Sequence, residues 1–357
     1  MKENFYTYHE YYASANGYQG FKSYFSQIFN SSEFEKVFIL KGGPGTGKSS
    51  IIKKLCVFCK ANKIHYEIFR CSSDPDSLDA IIIDDSTVKV AVLDGTAPHM
   101  RDAEIPGAVD EIINLGQAWD SKALAKSRES IIEYNCKKNS NYKKAYEYLY
   151  YSSVFDTNIE AEIAATYDYK KSINECELII DSLKLYKPGK SNVRLISSFS
   201  KQGYRTLTGP FSNSKKNYSV FGRFGSENIF IGQLADTLMK NNADFCKLPS
   251  PFNTHVTEGI MLNHGETIIF GMGDGEILTD TTKFIKIDNL REFEEKMYSL
   301  ENSKNYYLNL AAQELKHASD YHFKLEDIYT PTMNFDIINE MYDKMLSEIK
   351  NIYSIRV

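Results

Sequence analysis

The clearest candidate for chemistry in this sequence is a glycine-rich run at residues 42–49, GGPGTGKS. The run matches G-x-x-x-x-G-K-[ST] at every fixed position. An apolar stretch, VFIL at residues 37–40, precedes it, and apolar residues follow at helical spacing: Ile51, Ile52, Leu55, Phe58 and Cys59. A strand, a glycine loop and a helix in this order predict a phosphate-binding loop, or Walker A motif.

Each residue type in the run has a physical role toward a nucleoside triphosphate. Glycines let the backbone curl so that successive N–H groups point at phosphate oxygens, and the helix N-terminus adds a partial positive charge. Lys48 is expected to reach the β- and γ-phosphates, and Ser49 is expected to place its hydroxyl on Mg²⁺. The predicted nucleotide-binding residues are Gly42, Gly43, Pro44, Gly45, Thr46, Gly47, Lys48, Ser49 and Ser50.

A second apolar stretch ends in the carboxylate that such a loop requires. VKVAVLD at residues 88–94 predicts a strand that ends at Asp94, on the Mg²⁺ side of the nucleotide. The predicted metal ligands are therefore Ser49 and Asp94, and the predicted catalytic residues are Lys48 and Asp94. Many ATP hydrolases have Glu next, to polarise the attacking water, whereas this chain has Gly95. Hydrolysis is therefore slow, or the water-orienting group comes from elsewhere, or the acceptor is not water.

Further polar side chains follow predicted strands, where open α/β sheets bind their ligands. A helix cap, a turn or a solvated charge is the favoured explanation for each single carboxylate, and a hydrogen bond within its loop is the favoured explanation for the histidine. The arginine could contact a phosphate. The candidates are Asp74, Asp76, Asp79, Asp110, Glu111, His99 and Arg101.

Length and composition exclude several classes of protein. The 357 residues suffice for two domains, and the net charge of −5 provides no general attraction to nucleic acid or to anionic lipid. We expect no signal peptide, because residues 1–21 are polar and aromatic, and no membrane span, because no apolar run approaches 18 residues. The six scattered cysteines favour a reducing cytoplasm.

The second half of the sequence repeats the landmarks of the first in order. SVFGRFG at residues 219–225 is followed by an apolar helical pattern, and ETIIFG at residues 266–271 corresponds to the strand of Asp94. In an ungapped alignment, Gly222 and Gly225 take the places of Gly42 and Gly45. The residues that replace Gly47, Lys48, Ser49 and Asp94 are, in order, Glu227, Asn228, Ile229 and Gly271. We therefore expect the second copy not to bind a nucleotide in the same manner.

The predicted fold is α/β, with two tandem P-loop NTPase-like domains. In each domain a parallel sheet is flanked by helices and followed by a helical appendage. The first domain spans residues 1–187, and its appendage, at about residues 121–186, reads as an antiparallel helical pair. YKPGKSN at residues 186–192 reads as a junction, and the degenerate second domain spans residues 188–357 with C-terminal helices.

Several strings of the first half resemble a group of tandem P-loop ATPases from spore-forming Firmicutes. These strings are HEYYASANGYQGF, VFILKGGPGTGKSS, CSSDPDSLDAIII, VAVLDGTAPH and PGAVDEIINLGQAWD. The resemblance is weaker in the second half, where it includes LEDIYTPTMNFD. Members often carry an intact loop in both halves, and this chain departs from that pattern. The resemblance implies ATP binding and a preference for purines.

The leading functional expectation is an ATP-binding NTPase, with ATP and Mg²⁺ as cofactors, whose slow, partner-stimulated hydrolysis acts as a switch. A protein partner would bind the degenerate second half, nucleic acid and membrane are not expected as partners, and a homo-oligomer stays open. The first alternative is a small-molecule or nucleotide kinase, because residue 95 is Gly and the acidic CSSDPDSLD loop could hold an acceptor. The second alternative is a non-hydrolysing, ATP-gated interaction protein.

Overall fold

The computed structural model describes residues 8–184, 188–189 and 191–354 of the chain. The predicted junction at residues 186–192 lies partly outside the described residues, and so does residue 187 at the predicted domain boundary. In the first half, the strands are β1 (Tyr8–Tyr12), β2 (Ser14–Gly17), β3 (Gly20–Ser23), β4 (Lys36–Lys41), β5 (His65–Arg70), β6 (Leu78–Asp84), β7 (Lys89–Asp94) and β8 (Asp110–Asn114). The helices are α1 (Phe25–Ile28), α2 (Lys48–Asn62), α3 (Ser121–Lys126), α4 (Arg128–Thr166) and α5 (Tyr169–Leu183).

The second half follows the same succession of elements. Its strands are β9 (Ser191–Val193), β10 (Ser197–Ser200), β11 (Gly203–Thr206), β12 (Lys216–Phe221), β13 (Phe245–Pro249), β14 (Thr257–Leu262), β15 (Thr267–Gly271) and β16 (Glu276–Asp280). Its helices are α6 (Gly209–Asn213), α7 (Ser226–Lys240), α8 (Leu290–Tyr329) and α9 (Phe335–Ser354).

Two six-stranded sheets, one from each half, share one topology. Their strand orders are β1-β5-β6-β7-β4-β8 and β9-β13-β14-β15-β12-β16. The pairings within β5-β6-β7 and within β13-β14-β15 are antiparallel, and all other pairings in the two sheets are parallel. The α/β class is thus confirmed, and the matching order agrees with the repeat seen in the sequence.

The prediction of a parallel sheet is wrong in one respect, because both sheets are mixed. Only residues 71–77 separate β5 from β6, and only residues 85–88 separate β6 from β7. Such short connections suit antiparallel neighbours, whereas a parallel crossover needs a dozen or more residues. The strands on the other side of β7 are parallel, since α2 and two further strands lie between β4 and β7 in the chain.

The two sheets share a hydrophobic core that contains residues from both halves. Val37 and Ile39 of β4 lie in this core, together with Met261 of β14 and Ile268 of β15. The alternate residues of β4 face the other way, toward α2, because successive side chains of a strand point to opposite faces. The central core therefore joins the halves along the sheet faces opposite α2 and α7.

Each half places its last helix on the sheet of the other half. Helix α9 packs beside α2 on the first sheet, where Ile349 is fully buried and the Tyr353 hydroxyl donates to the Ile83 carbonyl at 2.9 Å. Helix α5 packs beside α7 on the second sheet, where Cys176 and Ile180 are fully buried. The chain thus completes each sheet's helical layer with a helix from the opposite half.

The long helices α4 and α8 lie antiparallel against each other. Ion pairs join Asp156 to Lys304 at 2.8 Å and Glu162 to Lys296 at 2.6 Å. Residues later in α4 therefore contact residues earlier in α8, so the two helices run in opposite directions. The antiparallel pair predicted within residues 121–186 is therefore wrong, because the partner of α4 comes from the second half. Helical periodicity shows that a face is apolar but not which helix covers it. None of the described helices combines the length and apolar character that crossing a bilayer requires.

Candidate functional site

The loop at residues 42–47 connects β4 directly to α2, and its backbone requires glycine at two positions. Gly45 has φ +69° and Gly47 has φ +85°, in the left-handed region that residues with a Cβ rarely adopt. Gly47 immediately precedes Lys48, the first residue of α2. The first N–H groups of α2 have no partner within the helix, so this end of the helix can receive an anion.

Lys48 is held against the loop from which it extends. Its Nζ donates to the carbonyl of Gly42 at 2.7 Å and to the carbonyl of Gly43 at 2.9 Å. The same atom lies 3.6 Å from Asp94 Oδ2, and the two side chains are only 15% and 16% exposed. The sequence placed these residues on one site, and the structure brings them together because β4 and β7 are parallel neighbours.

Asp94 is oriented by the residues that follow β7. The Thr96 backbone N–H donates to Asp94 Oδ1 at 2.8 Å, and the Thr96 hydroxyl contacts the same carboxylate. The Thr96 Oγ1 also lies 3.1 Å from the Gly42 carbonyl oxygen, which ties the Asp94 turn to the glycine loop. Burial raises the pKa of Asp94, and the charge of Lys48 opposes this rise. Thr96 is a positioning residue that motif spacing alone did not single out.

The remaining predicted loop residues differ in their surroundings. The Ser49 hydroxyl accepts a hydrogen bond from the backbone N–H of Leu78, the first residue of β6, at 3.0 Å. Thr46 is 1% exposed and donates to the Gly43 carbonyl at 2.9 Å, so it closes the loop on itself. Pro44 is half-buried and Ser50 is exposed. Ser49 thus has a hydroxyl that the fold anchors at the start of β6.

Two of the further candidates meet beside this site. His99 Nε2 lies 3.0 Å from Asp79 Oδ2, and both side chains are more than nine-tenths buried. Burial lowers the pKa of His99, but the charge and hydrogen bond of Asp79 and the charge of Asp94 together outweigh it, so the pKa of His99 is raised. Asp79 also contributes to the raised pKa of Asp94, which shows that the two carboxylates share one region.

The other candidates have structural partners instead. Asp110 accepts from the Ser31 hydroxyl at 2.7 Å and from two backbone N–H groups, and it thereby holds a loop. The guanidinium of Arg101 donates to the Phe29 carbonyl at 2.7 Å and is 3% exposed. Asp74 pairs with Lys201 of the second half at 3.0 Å, and Glu111 pairs with Lys36 at 2.9 Å. Asp76 has no ion-pair partner among the described residues.

A segment of the second half lies against the glycine loop, which sequence analysis did not foresee. A Cβ on Gly45 would overlap Thr330 Oγ1 and lie 3.5 Å from the Glu326 carbonyl oxygen. The charge of Lys48 and the Gly45 N–H help to lower the pKa of Glu326, although a hydrogen bond from His322 is the largest cause. The Glu326 carboxylate therefore lies near the loop.

Between the first glycine and the buried face of the helix, the second half is one residue shorter than the first. The buried residues of α2 and α7 match at an offset of 179, since Phe230 and Ile231 correspond to Ile51 and Ile52 (230 − 51 and 231 − 52). Gly222 follows β12 at an offset of 180 from Gly42, so one residue is missing between the start of the loop and the buried face of α7.

This shortening corrects the ungapped alignment. Glu227 takes the place of Lys48, and Asn228 takes the place of Ser49. Gly225, with φ +86° directly before the helix, shares the left-handed conformation of Gly47, although α7 begins one residue earlier than α2 relative to the matched buried faces. Burial raises the pKa of Glu227, whose Oε2 has no hydrogen-bond partner in the part of the chain that the structure describes. A carboxyl group thus replaces the ammonium group.

The strand register supports the last of the aligned substitutions. Leu40 pairs with Asp94 across β4 and β7, and Val220 pairs with Gly271 across β12 and β15. Leu40 and Val220 each lie two residues before the first glycine of their loop. Gly271 therefore occupies the position of Asp94, and the second loop lacks both the lysine and the carboxylate of the first.

Comparison with models of known protein families, with curated proteins and with solved structures finds no match to this chain. The geometry itself is therefore the basis for assigning a function. A glycine loop at a helix N-terminus, an anchored lysine, a hydroxyl and a carboxylate can together bind an anion and a divalent cation.

Proposed function

We propose that this protein binds ATP–Mg²⁺ at residues 42–50 and hydrolyses it slowly, as a switch in the cytoplasm. The observation that carries the proposal is the meeting of Lys48 and Asp94 at the N-terminus of α2, where Nζ lies 3.6 Å from Oδ2. A lysine, a helix N-terminus and a carboxylate at one point suit a polyphosphate that brings its own Mg²⁺.

Each residue of the proposed site would have a separate role toward the phosphates or the Mg²⁺ ion. Backbone N–H groups of Gly43, Gly45 and Gly47 and those at the start of α2 would bind phosphate oxygens, and Lys48 would balance their charge. Ser49 and Asp94 fit Mg²⁺, because a hydroxyl and a carboxylate are hard oxygen donors that the fold holds at the same edge. The ion would supply charge neutralisation at the transferring phosphoryl group.

The packing around Gly95 supports the proposal of slow turnover. A Cβ at this position would overlap Ile39 Cγ2 and lie 3.0 Å from the Arg101 carbonyl oxygen. The backbone thus has no room for any side chain after Asp94, so a water-polarising Glu cannot be placed there. We infer that hydrolysis depends on a group supplied by a partner or by a movement of the chain.

The second half provides the element that a switch requires. Residues near the end of α8 lie against Gly45, and Tyr329 and Trp119 lie against Gly43, with the Tyr329 ring atom 3.9 Å from a Cβ placed there. A nucleotide that alters the loop would therefore act on α8, which spans the molecule beside α4. The degenerate half would serve as the surface for a protein partner.

The proposal is tested by measuring ATP binding and phosphate release on the same sample, with Mg²⁺ and with EDTA. Wild-type protein is expected to bind ATP more tightly with Mg²⁺ and to release phosphate slowly. No binding of ATP at millimolar concentration would overturn the proposal. Tight binding without release would instead favour the kinase lacking its acceptor or the ATP-gated interaction protein. Addition of candidate acceptors distinguishes these two, because only a kinase would then turn over.

Asp94→Asn is expected to remove the Mg²⁺-dependent part of ATP binding and at least about tenfold of the phosphate release, because the amide lacks the charge that attracts the cation. Binding in EDTA should stay within about twofold, since Lys48 and the loop are unchanged. The check is a pair of titrations, with and without Mg²⁺. Asp102→Asn is a matched control, because Asp102 is an exposed carboxylate of the same half. Mg²⁺ dependence that survives in Asp94→Asn would contradict the role assigned here.

Glu326→Gln is expected to strengthen ATP binding, by about three- to tenfold. The carboxylate lies close enough to Lys48 and the Gly45 N–H to have its pKa lowered by them, so it competes with phosphate for the same groups. Glu340→Gln is the control, because Glu340 is an exposed carboxylate of the same C-terminal region. Equal affinities in wild type and Glu326→Gln would show that the end of α8 does not restrain the loop.

A further inference from the structure

Three side chains that the proposed nucleotide site does not use meet at the same edge of the first sheet. Cys71 follows β5, Asp79 is the second residue of β6, and His99 lies in the loop after β7. The thiol sulfur, a carboxylate oxygen and an imidazole nitrogen all lie within 4.8 Å of one another. The end of β5, the start of β6 and the loop after β7 therefore bring three metal-ligating groups to one point.

Two polar atoms of this cluster are buried without a hydrogen bond among the described residues, although one of them, Asp79 Oδ2, lies at ion-pair distance from His99 Nε2. Asp79 is 5% exposed and His99 is 6% exposed. Asp79 Oδ2 and His99 Nδ1 have no aligned hydrogen-bond donor or acceptor within the described parts of the chain. A buried polar atom without a partner is unfavourable, so a fold that retains His99 Nδ1 in this state is stabilised when a ligand binds there.

The imidazole is held in a fixed plane by aromatic neighbours. The His99 ring stacks on Phe25, with centroids 4.6 Å apart, and meets the edge of Phe21 at 5.1 Å. This packing directs Nε2 toward Asp79, 3.0 Å away. A ligand nitrogen whose ring cannot rotate is pre-organised for binding.

The second half shows what the same position looks like when the carboxylate is satisfied by hydrogen bonds. Strand register places Glu258 where Asp79 stands and Ser250 where Cys71 stands, each at an offset of 179 (258 − 79 and 250 − 71). The Tyr204 hydroxyl donates to Glu258 at 2.9 Å, and Ser250 helps to restrain its pKa. The first half has a thiol and an imidazole instead, which are metal ligands.

We propose that Cys71, Asp79 and His99 form a zinc-binding site. Sulfur, oxygen and nitrogen donors of this kind suit Zn²⁺, whereas Mg²⁺ avoids thiolates, so the site differs from the one proposed for Asp94. Three protein ligands leave the fourth tetrahedral position for a water molecule. The inference does not depend on the proposed ATP binding.

Charge balance supports this choice of ion. Cys71 is a free cysteine, and a thiol must lose its proton when it binds a metal as a thiolate. Zinc binding forms the Zn–S bond and releases that proton to solvent. Zn²⁺, a thiolate, a carboxylate and a neutral imidazole then sum to zero charge, which suits a buried site.

The test uses the full chain after chelator treatment, without nucleotide, titrated with Zn²⁺ by calorimetry and with Co²⁺ by absorption. We expect one Zn²⁺ per chain and a thiolate-to-cobalt charge-transfer band. Cys71→Ser and His99→Asn should each lose the band or shift it and weaken Zn²⁺ binding by more than the roughly 10–100-fold that loss of an outer partner costs. Cys136→Ser is the matched control, because Cys136 is an exposed thiol.

A second readout needs no variant. Zn²⁺ should slow the alkylation of Cys71 in the wild-type protein, as measured by mass spectrometry of its peptide, and should leave Cys136 unprotected. The proposal is overturned if wild type binds no Zn²⁺, if Cys71→Ser binds it as tightly as wild type does, or if Zn²⁺ leaves the alkylation of Cys71 unchanged. Circular dichroism of each variant separates a lost ligand from a lost fold.

Discussion

Lys48→Ala is expected to weaken ATP binding at least about 100-fold, which is about 2.8 kcal/mol at 1.4 kcal/mol per tenfold. The ammonium group is held by the Gly42 and Gly43 carbonyls and lies 3.6 Å from Asp94, so it is in place before a nucleotide arrives. Its removal leaves the buried Asp94 carboxylate unbalanced beside the incoming phosphates. Calorimetric titration with ATP–Mg²⁺ measures the loss directly, and phosphate release should fall with it.

Lys53→Ala provides the control for this variant, because Lys53 is an exposed lysine on the same helix, one turn further along. It should bind ATP within about twofold of wild type, since exposed charges at this distance are largely screened. Thermal unfolding of both variants should remain close to that of wild type. If Lys48→Ala binds ATP as wild type does, residues 42–50 are not the nucleotide site and the proposed function fails.

Ile349→Ala and Ile180→Ala are expected to destabilise opposite sheets, each by about 2–5 kcal/mol, the usual cost of truncating a buried isoleucine. Both side chains are fully buried. Ile349 of α9 packs on the first sheet, although it belongs to the second half of the sequence, and Ile180 of α5 packs on the second sheet. The loss of stability should therefore appear first in the sheet of the opposite half: the first sheet for Ile349→Ala and the second sheet for Ile180→Ala.

Hydrogen exchange followed by mass spectrometry measures the loss of protection in each sheet, peptide by peptide. Ile349→Ala should speed exchange first in β5, β6 and α2, and Ile180→Ala should speed it first in β13, β14 and α7. Leu178→Ala on α5 is the matched control, because Leu178 is 70% exposed and its truncation should change the free energy of unfolding by no more than about 0.5 kcal/mol. Deprotection confined to the sheet of the variant's own half would show that the helices are not exchanged.

Together, these variants distinguish a residue that binds ATP from residues that hold the two halves of the chain together. A loss of ATP binding in Lys48→Ala with normal stability would locate the ATP site at Lys48. The two isoleucine variants then test whether the second half stabilises that site. Because α9 and the end of α8 contact the first half, Ile349→Ala should also weaken ATP binding, whereas Ile180→Ala should affect it less.

Local residue order was enough to predict the strand, the loop and the helix around Lys48, and the strand that ends at Asp94. These features depend on neighbours in the chain: glycine permits the left-handed backbone at Gly45 and Gly47, and apolar periodicity marks the buried faces. That Lys48 and Asp94 come together also follows, since parallel strands present their carboxyl ends at one edge.

Other features could be decided only by packing between distant parts of the chain. The apolar periodicity of α9 is the same whichever sheet it covers, so the sequence of α9 does not show that it packs on the sheet of the opposite half. The meeting of Cys71, Asp79 and His99 depends on the order of β5, β6 and β7 within the sheet. The single residue missing between the start of the second loop and the buried face of α7 became visible only when buried faces were matched, because an ungapped comparison of letters cannot register which side of a helix is covered. The sequence by itself thus determined the local elements and the residues they carry, and the tertiary structure alone decided which of them face one another, since those contacts join residues far apart in the chain.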